Sequence, residues 1–139
     1  MPDEPRSPAS GQTDLAALLQ SMEPVLHDDE FVFCTATEAA GVDAICAFRE
    51  REGVTLICRR AEAERCGLAF TYPCRMITLS VHSSLEAVGF LAVVAGELSR
   101  HGIGVNVVSG YYHDHLFVAV KDARRAMAIL WKMQRGAQL

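Results

Sequence analysis

Hydrophobic and polar positions alternate along the second half of the chain in a way that predicts a strand–helix–strand–strand–helix unit. Strict alternation is typical of a strand with one buried face, and apolar residues three and four positions apart are typical of an amphipathic helix. The five segments are 76–82, 83–100, 102–110, 115–120 and 122–133. A unit of this kind packs both helices on one face of a small sheet. We therefore expect the other face to be open.

The first helix of this unit has a local start signal. Ser83 and Glu86 have the spacing of a capping box, in which each side chain bonds the backbone amide of the other residue. The pattern therefore predicts that the helix begins at Ser83. Its core-facing stripe is expected to contain Leu85, Val88, Leu91, Ala92, Ala95 and Leu98.

The first half of the chain shows a shorter version of the same pattern. A helix is predicted at 13–22, and a Glu52-Gly53 connection favours a hairpin between two strands. The other predicted elements of this half are strands 30–36, 44–51, 54–60 and 68–72 and a helix at 61–66. Pro73 removes a backbone donor and marks the predicted seam. We expect a disordered tail at 1–12, an abbreviated N-terminal half at 13–73 and a C-terminal half at 74–139.

Composition excludes several classes of function. The chain has 139 residues and a net charge of −4, and it has no basic stripe of the kind that binds nucleic acid. No apolar run is long enough for a membrane span, and the acidic, Pro- and Ser-rich start has no signal segment. We therefore expect a cytoplasmic protein with neither a nucleic-acid nor a membrane partner.

Five cysteines without a C-x-x-C spacing argue against a disulfide framework or a zinc site. We expect them to act mainly as small buried hydrophobic residues. No motif indicates a catalytic nucleophile, a phosphate loop or a bound cofactor. The sequence therefore favours a protein that is not an enzyme.

Residues 75–120, RMITLSVHSSLEAVGFLAVVAGELSRHGIGVNVVSGYYHDHLFVAV, resemble an ACT domain, the regulatory module of aspartate kinases. Together with FVFCT and AFREREGVTLI in the first half, they resemble small free-standing bacterial proteins made of two ACT-like halves. The resemblance spans about 22–133. It implies an α+β fold: a ferredoxin-like β-α-β-β-α sandwich of two fused halves, with antiparallel-rich sheets and helices on one face.

The resemblance also implies a ligand site. In ACT domains an effector amino acid generally binds where the first strand meets the first helix, against the start of the second strand and often between two domains. The corresponding positions here are Val81, His82, Ser83, Ser84, Leu85, Glu86, Ala87, Ile103, Gly104, Val105 and Asn106. Amides at a helix start would favour the ligand carboxylate.

Simpler roles are open for these residues. Ser83 and Glu86 could only cap their own helix, and Asn106 could bond a neighbouring strand. His113-Asp114-His115 resembles a metal site, but alternation puts both histidines on one side of a strand and Asp114 on the other. A metal would need His82 as well. The alternative is a tight turn in which Asp114 bonds local amides.

The preferred hypothesis is a non-catalytic regulatory or sensor protein that binds an amino acid or similar small metabolite. It would bind without a cofactor, as a possible homodimer with a possible regulated protein partner. One alternative is a ligand-free interaction module. The other is a metal-binding protein that uses His82, His113 and His115.

Overall fold

The computed structural model describes residue 11 and residues 13–136. The predicted tail at 1–12 therefore lies almost entirely outside the described residues. The strands are β1 (Pro24–Ala36), β2 (Ala44–Arg49), β3 (Val54–Arg59), β4 (Thr71–Leu79), β5 (Val105–Ser109) and β6 (Asp114–Ala119). The helices are α1 (Leu15–Ser21), α2 (Arg60–Arg65), α3 (Phe90–Arg100) and α4 (Ala123–Gly136). A 3-10 turn at Val120–Asp122 precedes α4.

All six strands join one antiparallel sheet in the order β2-β3-β1-β4-β6-β5. The two halves therefore share a sheet, with β1 beside β4 at the junction. None of the described helices is long and apolar enough to cross a membrane.

The helices cover one face of this sheet, as the sequence pattern predicts. Ile77 and Leu79 of β4 are buried there under α1, α3 and α4. The shared core of this face comprises Leu18, Met22, Ile77, Leu79, Phe90, Val94, Leu98, Ile103, Leu116, Val118, Ala123, Ala126 and Leu130. Ala63 of α2 packs beside Val32 and Cys34 of β1. Side chains alternate between the two faces along a strand, and Phe31 lies with Cys74 on the face without helices. Val32 and Cys34 therefore lie on the helix-covered face.

The other face is open to solvent at its rim and apolar at its centre. Phe31, Ile57, Met76 and Phe117 are buried there although none of the described helices packs on this face. Val108 packs against this group, so the open face has an apolar centre formed by both halves of the chain.

Pro73 does not end a strand. β4 runs through it from Thr71 to Leu79. The β1–β4 register shifts between Phe31 and Phe33, where these residues pair with Cys74 and Thr71, and Tyr72 has a φ of 59°. This irregularity accommodates a residue that has no amide donor, so the predicted strand break at Pro73 is wrong.

The largest departure from the predicted secondary structure is the start of α3. The helix begins at Phe90 rather than Ser83, and residues 80–89 form an irregular turn. Gly89, at the N-cap, has a φ of 89°, a left-handed conformation that glycine adopts without steric cost. As a result Leu85, Val88 and Ala92 of the predicted core stripe are exposed, while Phe90 and Val94 are buried with Leu98.

Candidate functional site

The 80–89 turn holds a buried polar pair. The Ser83 hydroxyl donates to Oδ2 of Asp114 at 2.8 Å, and both residues are buried. Ser83 therefore does not cap a helix, and Asp114 does not bond only local amides. The predicted capping box is absent for this reason, and the Glu86 amide donates to the Ser84 hydroxyl instead.

The sheet register explains why Asp114 reaches this turn. Leu79, the last residue of β4, pairs with Asp114, and Asp114 pairs with Ser109 at the end of β5. Because β4 and β5 are both antiparallel to β6, they run parallel to each other. Their carboxyl ends therefore lie at the same edge of the sheet, directly below the 80–89 turn.

A cleft of about 150 Å³ lies between this edge and the start of α3. Its lining residues are Ser83, Ser84, Leu85, Ala87, Gly89, Phe90, Leu91, Ala92, Ser109 and Asp114. Among the described residues, no side chain caps the N-terminus of α3, and the first turn of α3 contains no acidic residue. The first amides of a helix have no partner inside the helix, so they are available to an acceptor in this cleft.

The two ends of this cleft therefore have opposite electrostatic character. The Asp114 carboxylate and the Ser83 hydroxyl oxygen accept hydrogen bonds, which suits an ammonium group. The N-terminus of α3 carries the positive end of the helix dipole, which suits a carboxylate. The arrangement is complementary to a small zwitterion.

A second and wider cavity of about 380 Å³ adjoins the cleft. Ser84 and Leu85 line both, and the other residues of the wider cavity are Gly11, His82, Glu86 and Tyr111. The His82 ring packs on Tyr112 with 5.1 Å between ring centroids. Nε2 of His82 is buried without a hydrogen-bond partner among the described residues.

The structure brings together only part of the predicted site. Ser83, Ser84, Leu85 and Ala87 line the cleft, and His82 and Glu86 line the wider cavity. Val81 packs against the core below the helices. Their assignment to ligand binding stays a prediction.

The second predicted segment does not face the turn. Ile103, Gly104, Val105 and Asn106 line neither cavity. Val105 pairs with Val118, four residues along β6 from Asp114, so the start of β5 lies at the opposite end of the strands. Ile103 is a buried core residue, and Asn106 is exposed on the open face opposite Phe117.

Sequence reasoning missed Asp114, Ser109 and the true start of α3. A signal was present, because two strands joined by a crossover helix run parallel and end at the same edge. The end of β5 was therefore the better partner for the turn. Hairpin pairing across the YYHD turn would then have added Asp114.

His113 and His115 lie on the side of β6 away from Asp114, as alternation predicts, with 6.4 Å between ring centroids. His82 lies with Tyr111 and Tyr112 instead of with these histidines. Among residue 11 and residues 13–136, no three His, Cys, Asp or Glu side chains are grouped to hold a metal ion.

Comparison with known proteins supports this architecture. Two family models, both described as ACT domain, match residues 10–75 and 71–132. The crystal structure of a protein of unknown function from Vibrio cholerae, described as a possible transport protein, is 42% identical. Its TM-score is 0.79, and the match covers 86% of this chain and 95% of that chain. No curated protein sequence matches the chain.

More distant structures share the fold. A protein from Agrobacterium tumefaciens is 18% identical with a TM-score of 0.68, and the match covers 81% of this chain and 89% of that chain. The ligand-free regulatory subunit of aspartate kinase from Thermus thermophilus is 7% identical with a TM-score of 0.58, covering 81% of this chain and 98% of that chain. The predicted ferredoxin-like α+β fold is confirmed.

Proposed function

The chain belongs to the ACT domain family, and from this premise we propose that it is a non-catalytic regulatory protein that binds an amino acid in the cleft beside Asp114. ACT domains typically regulate and bind amino acids. The observation that carries the proposal is the buried Ser83–Asp114 pair placed across a small cleft from the uncapped N-terminus of α3.

Both charged groups of an amino acid would find a partner here. The ammonium group would bond Asp114, which already accepts one hydrogen bond from Ser83. The carboxylate would bond the free amides at the start of α3. A cleft of about 150 Å³ suits the backbone part of a ligand, and the adjoining cavity beyond Ser84 and Leu85 leaves room for a side chain.

A ligand bound in this way would bridge the 80–89 turn, α3 and β6. It would stabilise the turn conformation that presents these groups and so change the fraction of molecules in which Leu85 and Val88 are exposed as they are here. Such coupling between a ligand and a partner surface is typically worth about 1–3 kcal/mol. A regulated protein partner and a homodimer are part of this proposal.

The test is a thermal-shift screen of the common amino acids followed by calorimetry. We expect at least one amino acid to bind, and its amide and its amine-free analogue to bind much more weakly. Asp114→Asn should weaken binding about tenfold to a hundredfold, since it removes a charge-assisted hydrogen bond. Tyr112→Phe, outside the cleft, is the matched control.

If no amino acid changes the unfolding temperature, or if Asp114→Asn binds as tightly as the parent protein, the proposal is wrong. Far-UV circular dichroism and the unfolding transition of each variant without ligand show whether it is still folded.

A ligand-free interaction module is the second candidate. Leu85 and Val88 are 67% and 85% exposed on the 80–89 turn, which is unusual for large apolar residues close to one another. This reading predicts that Leu85→Ser together with Val88→Ser abolishes partner binding, and that amino acids do not change the affinity for the partner.

A further inference from the structure

The open face of the sheet contains a cavity of about 290 Å³ that is separate from the cleft beside Asp114. It is lined by Ile45, Cys46, Met76, Val108, His115 and Phe117, together with Gly110. Ile45 and Cys46 belong to β2 and Val108 to β5, the two edges of the sheet. The sheet therefore curls so that both edges approach the same space.

The ring of Phe117 lines this cavity and is held from behind by two other aromatic rings. Phe117 is 2% exposed and meets Phe31 and Phe33 edge to face, with ring centroids 6.0 and 5.8 Å apart. Edge-to-face rings hold each other in place, so this surface is formed before any ligand arrives. At the rim, Ile45 is 50% exposed.

A β-bulge turns a histidine toward this face. The β1–β4 register shifts between Leu26 and Glu30, so the residues between them oppose Met76 alone. The Arg75 guanidinium donates to the His27 carbonyl at 2.8 and 3.1 Å and holds the bulge. His27 Nε2 then lies 2.7 Å from the Thr78 hydroxyl. Bulges of this kind commonly re-aim a side chain near a site.

Thr78 links His27 to the cavity. Its hydroxyl lies 2.9 Å from Nδ1 of His115, so one hydroxyl hydrogen is shared between two imidazoles. If Thr78 donates to His115, Nε2 of His115 carries a hydrogen and is a donor. If Thr78 donates to His27, Nε2 of His115 is an acceptor. His115 can therefore offer either function to a ligand.

Gly110 leaves the Nε2 side of His115 uncovered. A Cβ at Gly110 would lie 3.1 Å from the His113 carbonyl oxygen and 3.6 Å from Nε2 of His115. Both Gly110 and His115 line the cavity, so this ring edge forms its polar end.

None of the described residues that line the cavity carries a charged side chain. Burial and the neighbouring His113 and His27 lower the pKa of His115, which keeps its imidazole neutral near pH 7. Asp43 and Arg59, beyond Ile45, pair with each other at 3.4 Å. An ionised ligand would lose hydration in this cavity without gaining a counter-charge.

We propose that this cavity is a second binding site, which takes a small, uncharged aromatic molecule with one hydrogen-bonding group held by His115. The size of the cavity, its apolar walls and its single adaptable polar end define this class. This site is independent of the amino-acid cleft, because His115 and Asp114 point to opposite sides of β6.

Indole is a suitable probe, since it is uncharged, planar and has one N–H donor. The assay measures the rate at which a thiol reagent labels Cys46 in a Cys66→Ser background. Cys34, Cys58 and Cys74 are buried, and burial raises the pKa of Cys58 to about 11 and that of Cys74 to about 12, so Cys46 is the reactive thiol. We expect indole to slow labelling in a saturable way.

Two variants test the polar end and the space. His115→Phe should weaken indole protection about tenfold by removing the hydrogen bond. Val108→Phe should abolish protection by filling the cavity. Tyr112→Phe and Asp114→Asn should leave it unchanged, which also separates this site from the amino-acid cleft.

The proposal is overturned if saturating indole leaves the labelling rate unchanged. It is equally overturned if His115→Phe and Val108→Phe are protected as well as the parent protein. A folded state for each variant is established from its unfolding transition. Thr78→Val removes the hydroxyl that contacts both His115 and His27, and it should weaken indole protection less than His115→Phe does.

Discussion

Glu62 on α2 is a buried carboxylate whose charge is balanced locally. The Arg65 guanidinium donates to it, and so does the backbone amide of Asp43 at 2.9 Å. These two hydrogen bonds lower the pKa of Glu62 to about 2. The side chain thus joins α2 to the loop before β2, which is a structural role that the helical pattern of the sequence did not reveal.

This lowered pKa predicts an acid-sensitive contribution to stability. Because the folded value lies below the ordinary value of 4.5, the contribution is complete above that pH and is lost as the pH falls toward 2. Glu62→Gln should therefore reduce the free energy of unfolding at pH 7 but much less at pH 2.5. Urea denaturation at the two pH values measures this.

Glu64→Gln is the matched control, since Glu64 pairs with Arg60 at an exposed position of the same helix. It should have little effect at either pH. Equal losses at pH 7 and pH 2.5 for Glu62→Gln would contradict the assignment.

At the scale of elements, the position at which α3 starts depends on which partner Ser83 bonds. The spacing of Ser83 and Glu86 is a local signal for a capping box. The structure instead has a long-range hydrogen bond from Ser83 to Asp114. Gly89 then fixes the actual start in a left-handed conformation. The two hairpins and the approximate bounds of α1, α2 and α4 were predictable because they depend on neighbours in sequence, whereas this helix start depends on a residue 31 positions away.

Two glycines of this helix should respond in opposite directions to alanine. Gly89→Ala should lower the free energy of unfolding by about 1–2 kcal/mol, because an L-residue is strained at a φ of 89°. Gly96→Ala should raise it by about 0.5–1 kcal/mol, because Gly96 is in mid-helix with no atom near its Cβ position. Chemical denaturation of both variants provides the comparison.

A Gly89→Ala variant as stable as the parent protein would show that α3 starts elsewhere. A loss of stability in Gly96→Ala would contradict the open mid-helix position of Gly96. Amino-acid binding by Gly96→Ala should equal that of the parent protein, because Gly96 does not line the cleft.

At the scale of the whole molecule, the two halves are joined by backbone pairing between strands as well as by side-chain packing in the shared core. β1 of the first half pairs with β4 of the second from Pro24–Leu79 to Phe33–Thr71. Two units and one open sheet face could be predicted from the sequence, but the strand break at Pro73 was wrong. The β1–β4 register that accommodates this proline depends on residues about 40 positions earlier in the chain, which local sequence does not reveal. The division at 73 and 74 stays a prediction.

A shared sheet predicts one cooperative unfolding transition. Trp131 on α4 reports on the second half, and far-UV circular dichroism reports on both. Leu56→Ala, in the buried core of the first half, should cost about 2–5 kcal/mol. We expect both signals to shift equally in urea. A dichroism shift that leaves the Trp131 transition unchanged would indicate two independent domains.

The unbroken path of β4 also limits how the molecule can move. Tandem modules tied by a linker can rotate against each other, and a ligand can govern the angle between them. In this protein, rotation of one half against the other would have to break the main-chain hydrogen bonds between β1 and β4. The six-stranded sheet is therefore expected to move as one rigid body. Ligand binding at the 80–89 turn could then affect a partner only through the conformation of that turn, or through the edge strands β2 and β5 of the sheet.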